Sequence, residues 1–149
     1  MSTIVVGVDG SNGSRAALRF AVEEARLRKA SLRLVTVWHV PFVAYSGGFV
    51  PADLPAEYER AAEDASRQTL ESLGSATDGI AIERKIAEGQ AAHVLLETAK
   101  GAELLVVGSR GHGGFAGLVL GSVSQQCVQH AACPVVVVTD PATERALAA

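Results

Sequence analysis

Five short apolar runs, each separated from the next by a stretch of helical periodicity, constrain this chain more than any other feature. Thr3 to Val8 (TIVVGV), Leu32 to Val40 (LRLVTVWHV), Ile80 to Ala87, Leu104 to Val107 and Pro134 to Thr139 (PVVVVT) are the candidate strands. The first, fourth and fifth are apolar at consecutive positions, as strands covered on both faces must be. Between the runs, Ala17, Leu18, Ala21, Val22 and Ala25 recur at helical spacing over Ser14 to Arg28, with Arg19/Glu23 and Glu24/Arg28 as i,i+4 charge pairs on the outer side. Tyr58, Ala61, Ala62, Ala65, Leu70 and Leu73 do the same over Glu57 to Leu73, ahead of Gly74. Shorter helices are predicted over Gln90 to Lys100, with Val94 and Leu95 inward, and from Ser122 to about His130. Alternation of this kind yields an α/β fold, a parallel sheet with helices on both faces. The third run alternates Ile80, Ile82, Arg84 and Ile86, which places it at a sheet edge.

At 149 residues, with 48% hydrophobic and 19% charged residues, the chain suits a single domain, predicted over 1–140, with an alanine-rich tail over 141–149. A net charge of -3 argues against a general nucleic-acid or anionic-membrane surface, so a negative ligand has to be held locally. Cys127 and Cys133 are too few for a disulfide framework, and the N-terminal apolar run is closed by Asp9 after five residues, unlike a secretory signal. No stretch approaches the ~20 apolar residues of a membrane helix. The cytoplasm is the expected compartment.

The chemistry gathers in Val107 to Ser124, VGSRGHGGFAGLVLGSVS. A buried strand stops at Gly108, a loop with glycines at 111, 113, 114 and 117 follows, and a helix opens at Gly121-Ser122. Glycine-exposed amides and the positive end of a helix make an anion site, best suited to phosphate. Its place after the carboxyl end of a parallel strand is where open α/β sheets bind ligands. Other phosphate motifs fail. A Walker A loop needs a lysine, and none lies beyond Lys100. Gly111, Gly113 and Ala116 satisfy G-x-G-x-x-A, but after the fourth strand instead of the first. Ser46-Gly47-Gly48 lacks the aspartate-serine of an ATP-pyrophosphatase loop and reads as a flexible connection.

Catalytic patterns are thin. Histidines 39, 93, 112 and 130 are scattered, with no serine or cysteine set beside one in a nucleophile motif. Cys127, His130 and Cys133 have metal-like spacing but no fourth ligand, and structural cysteines are the expectation. Asp9 ends the first strand at the edge of the sheet that carries the glycine loop. It is either a ligand for a ribose hydroxyl or a Mg2+ ion, or the cap of the Asp9-Gly10-Ser11 turn.

Gly108, two residues, Gly111, nine residues, then Gly121-Ser122 resembles the G-x2-G-x9-G-[ST] pattern of the ATP-binding branch of the universal stress protein family. Thr3 to Ser11 resembles that family's opening strand and aspartate, and GSVSQQCVQHAACPVVVV its closing helix and strand. The resemblance implies an open five-stranded, Rossmann-like parallel sheet of order 3-2-1-4-5. It implies that Gly108, Gly111, Gly121, Ser122 and Ser124 wrap the phosphates of ATP, with backbone contacts from Val107 and Val123. Asp9 would face the ribose or a bound cation, Gly7 and Val40 would border the adenine, and Val8 belongs to the same set. Arg110 and His112 are the nearby cations, for which a solvent role and a phosphate contact are equal readings. A homodimer through the last strand is also implied; an unpaired edge carrying Val135 to Val138 would invite aggregation, which pairing would prevent.

The leading expectation is a nucleotide-responsive regulatory or protective module of the stress response, which binds ATP without efficient turnover. One alternative is an enzyme that slowly hydrolyses ATP or transfers phosphate from it. The other is a protein-interaction module that binds AMP, cyclic AMP or no nucleotide. The loop over 41–56 leaves the same sheet edge as the glycine motif and is a candidate cover for it.

Overall fold

The structure, a computed structural model, describes residues 2–110 and 120–139. Five strands, β1 (Thr3–Gly7), β2 (Ser31–Trp38), β3 (Ile82–Glu88), β4 (Leu104–Gly108) and β5 (Val135–Val138), form one parallel sheet in the order β3-β2-β1-β4-β5. The helices are α1 (Asn12–Arg28), α2 (Leu54–Glu71), α3 (Ala91–Thr98) and α4 (Ser122–His130). Fold class and strand order are those expected.

Strand side chains alternate between the two faces of the sheet. Ile4, Val6, Leu32, Leu34, Leu104 and Val106 pack with the inner stripe of α1, and Leu70 of α2 joins them from the rim. Val5, Val35, Leu105 and Val107 pack on the opposite face with Leu95 and Ala99 near α3 and Cys127 of α4. Ile4, Val5 and Val6 are therefore all fully buried at consecutive positions, which is why β1 tolerates only apolar residues there. β3 lies at one edge, and Glu83, Arg84 and Lys85 are exposed on it, charges that discourage further strand pairing. β5 closes the other edge with four half-buried valines and no charge.

Element boundaries shift in ways the local chemistry explains. α1 begins at Asn12, ahead of the expected Ser14, because Ser11 caps it: its hydroxyl accepts the Ser14 amide at 3.1 Å. The helix stops where Lys29 takes a left-handed conformation (φ 54) and its N–H closes onto the Ala25 and Arg26 carbonyls. Glu24 and Arg28 form the expected outer ion pair at 2.9 Å, and Arg28 also reaches Glu103 at 2.9 Å. α2 begins at Leu54, ahead of the expected Glu57, since Pro55 in a first turn forfeits no helical hydrogen bond. Its buried residues are Ala62, Ser66 and Thr69, while Ala61 faces solvent. Residues 39–53 thus form the connection between β2 and α2, and it contains a 3-10 turn over Phe42–Tyr45. The tail over 141–149 lies outside the described residues.

Candidate functional site

The direction of winding reverses between β1 and β4. From β1 the chain crosses through α1 to β2 on one side, and from β4 through α4 to β5 on the other, so the connections diverge and leave a crevice above the carboxyl ends of the two strands. Residues 7–9, 107–110 and 121–124 meet at this edge.

On the β1 side, Asp9 is exposed, and its Oδ1 accepts the Ser11 amide at 2.9 Å and also the Ser11 hydroxyl. Gly10 completes the turn at φ 86, a conformation that suits glycine. Asp9 orients Ser11, and Ser11 caps α1. Of the two expectations for Asp9, the turn role is thus built into the fold, and the residue is exposed at the carboxyl end of β1. Val8 is buried and its amide bonds to the Val35 carbonyl at 2.9 Å. The Leu95 side chain packs close to Gly7: a Cβ there would lie 3.0 Å from Leu95 Cδ1.

On the β4 side, backbone packs directly on backbone. A Cβ on Gly108 would lie 2.9 Å from both C and O of Gly13 and 3.3 Å from the Ser14 nitrogen, and a Cβ on Gly13 would lie 2.6 Å from the Arg110 carbonyl oxygen. Both glycines let the end of β4 reach the first turn of α1. The Ser109 amide continues the sheet by bonding to the Val138 carbonyl at 2.9 Å. Its own carbonyl accepts the Gly121 amide at 2.6 Å and the Ser124 hydroxyl at 3.1 Å, which fastens the start of α4 beside the end of β4.

α4 opens differently from α1. Gly121 occupies its N-cap in an extended conformation (φ -72, ψ 167), with no side-chain cap and no acidic residue in the first turn. Among the described residues no side chain caps the first amides of α4, and a helix start of this kind, with its positive dipole end, suits an anion. Ser122 is exposed and its hydroxyl accepts from Gln126 Nε2 at 3.2 Å. Val123 is half-buried against the second core, and Ser124 is buried with its hydroxyl directed to the Ser109 and Gly121 carbonyls. Val107 is a core side chain, Arg110 is half-buried, and Val40 stands half-buried two residues beyond β2. Gly111 and His112 lie outside the described residues.

Three contributors were missed in the sequence. Ser11 had a visible signal, a Ser-x-x-Ser spacing ahead of a helix; Gly13 and Ser109 had none, because their roles are set by an approach between distant segments. Cys127 is fully buried, and burial together with its neighbour Cys133 pushes its thiol up to about 11, so it has little thiolate near neutral pH. Among the described residues no group of three or more His, Cys, Asp or Glu is placed to hold a metal ion, and no helix is long and apolar enough to cross a membrane. His39, His93 and His130 are exposed.

Comparison with known proteins places this geometry among relatives. A universal stress protein of Mycolicibacterium smegmatis is 36% identical over 91% of this chain and 45% of its own length. The chain spans about half the length of the curated relatives it matches. Universal stress protein UspA from Lactobacillus plantarum superposes with a TM-score of 0.76 at 25% identity, over 92% of this chain and 97% of that one. A universal stress protein solved in complex with cAMP superposes with a TM-score of 0.59 at 28% identity, over 93% and 96%. The model of the universal stress protein family matches residues 1–139, nearly the whole chain including both strand ends of the crevice and the start of α4, and the chain belongs to that family.

Proposed function

We propose that this chain, through a domain over residues 1–140, binds an adenine nucleotide in the crevice between β1 and β4, and that ATP is the form its glycine pattern suits. The observation that carries this reading is the start of α4: an N-terminus without a side-chain cap, held beside the end of β4 by the Ser109 carbonyl. Its dipole and first amides, with the exposed Ser122 hydroxyl, form a phosphate cradle in which Gly108, Arg110, Gly111, Gly121, Val123 and Ser124 take part or support the loop. Asp9 at the facing strand end serves the ribose, and Gly7, Val8, Val40 and Val107 frame the base and sugar through main chain and packing. The similar protein solved with cAMP supports an adenine nucleotide on this fold.

Mg2+ would come with the phosphates and need one protein carboxylate, a demand that exposed Asp9 fits. It would neutralise phosphate charge there. The site is read as one for binding and not for turnover, since its described residues gather amides and hydroxyls around the phosphates and set no general base among them. The protein then acts as a nucleotide-responsive regulatory or protective module of the stress response, in the cytoplasm, as a homodimer through β5.

The test is the pair Gly121→Val with Ser122→Ala. A Cβ at 121 would lie 3.4 Å from the Ser109 carbonyl oxygen, so valine crowds the cradle while Ser122 loses its hydroxyl. ATP binding should vanish with the fold intact by circular dichroism; a folded variant that keeps its affinity would overturn the site.

A further inference from the structure

The connection between β2 and α2 carries an apolar surface that the core does not use. Among the described residues six large hydrophobic side chains are exposed, and four of them lie within eight residues here: Phe42 (87%), Val43 (74%), Tyr45 (46%) and Phe49 (80%). Residues 40–52, VPFVAYSGGFVPA, contain no Asp, Glu, Lys or Arg. Exposed apolar side chains clustered in one segment are a feature of ligand-binding and interaction surfaces.

The segment is preorganised and hinged. Its 3-10 turn is held by local bonds, Ala44 N–H to the Pro41 carbonyl at 2.9 Å and Ser46 N–H to the Val43 carbonyl at 3.2 Å. Gly47 and Gly48 follow, the latter at φ 79, and a Cβ at either would meet nothing within 4 Å. A locally bonded turn followed by two glycines with open space at their Cβ positions has room to move without breaking core packing.

Its position selects the occupant. The segment starts at Val40, beyond the carboxyl end of β2, and β2 is the neighbour of β1 in the sheet. None of the residues assigned above to the nucleotide is aromatic. The phosphates and ribose are assigned amides, hydroxyls and a carboxylate, whereas the described residues assigned to the base are glycine and valine. An uncharged strap with three aromatic rings complements a purine face, which stacks on aromatic side chains.

We infer that residues 41–52 form a strap that closes over the bound nucleotide and stacks Phe42, Tyr45 or Phe49 on its base, so that the strap reads the base while the start of α4 reads the phosphates. This inference rests on the nucleotide-binding reading above.

The strap's aromatic residues are chymotrypsin sites, which supplies the test. The full chain is first titrated calorimetrically with ATP, AMP and inorganic tripolyphosphate, then digested with and without each. ATP and AMP are expected to slow cleavage after Phe42, Tyr45 and Phe49 by about tenfold or more, and tripolyphosphate, which has no base, is expected to leave it unchanged. Phe42→Ser with Phe49→Ser should keep the thermal midpoint, because neither side chain packs in the core, and bind ATP about tenfold more weakly. If wild type binds ATP but its strap is cut equally fast and the double variant binds as well, the strap is overturned and the site stands. Equal protection by tripolyphosphate would overturn base stacking. Protection that grows with protein concentration without nucleotide would overturn the strap in favour of a contact with a second copy. Failure of wild type to bind either nucleotide would remove both readings, and the titration alone shows which case holds.

Discussion

The buried hydroxyl of Ser124 donates to the carbonyl of Ser109 at 3.1 Å, tying the first turn of α4 to the residue that follows β4. The same carbonyl takes the Gly121 amide at 2.6 Å, so both ends of the glycine-rich stretch are fixed at one atom. For the proposed phosphate site, fixing these two points lowers the ordering cost of holding an anion beside them.

Ser124→Ala should therefore destabilise the fold by about 1 kcal/mol, the usual net worth of one hydrogen bond. Urea unfolding measures this. ATP affinity should fall as well, without being abolished, because the loop anchor weakens while the amides of α4 stay in place. Complete loss of binding in a stable variant would instead give the Ser124 hydroxyl a direct place on the phosphates.

The contact between Gly108 and Gly13 has a sharper signature. Gly108→Ala drives a methyl group against the main chain of Gly13 at 2.9 Å, and main chain cannot rotate aside. About 1–3 kcal/mol of destabilisation is expected, as for overpacking elsewhere. Gly47→Ala is the control, since nothing lies within 4 Å, and it should stay within about 0.5 kcal/mol of wild type. Equal unfolding midpoints for the two variants would mean that α1 and β4 separate more readily than the packing indicates.

How much of this was legible in the sequence depended on whether a role was local. Ile4, Val5 and Val6 had to be apolar at every position because helices cover both faces of β1, and that shows directly as an unbroken β-branched run. The buried face of α2 was harder to see because two of its residues, Ser66 and Thr69, are hydroxylated. Thr69 satisfies its hydroxyl on the Ala65 carbonyl at 2.8 Å, so it can be buried without an outside partner, and a reading by hydrophobic period passes over it. Pro55 reads as loop, though a first helical turn accepts proline freely. In the site, the sequence speaks for Gly108 only through phosphate geometry; its contact with Gly13 joins segments that only the fold brings together.

The proposed homodimer is expected to form through β5 and not through β3. β3 presents Glu83, Arg84 and Lys85, whereas β5 offers four valines in a row. Val136→Lys should weaken self-association, seen as a shift toward monomer in sedimentation velocity, with the monomer fold retained. An unchanged sedimentation profile would move the contact away from β5.

The most direct test of the central claim is to denature the purified native protein, identify by mass whatever it releases, and titrate the emptied, refolded chain with ATP, AMP and cyclic AMP, with and without Mg2+. An adenine nucleotide bound in the crevice, with ATP preferred, is the expected result. A refolded protein that releases nothing and binds none of the three would contradict it.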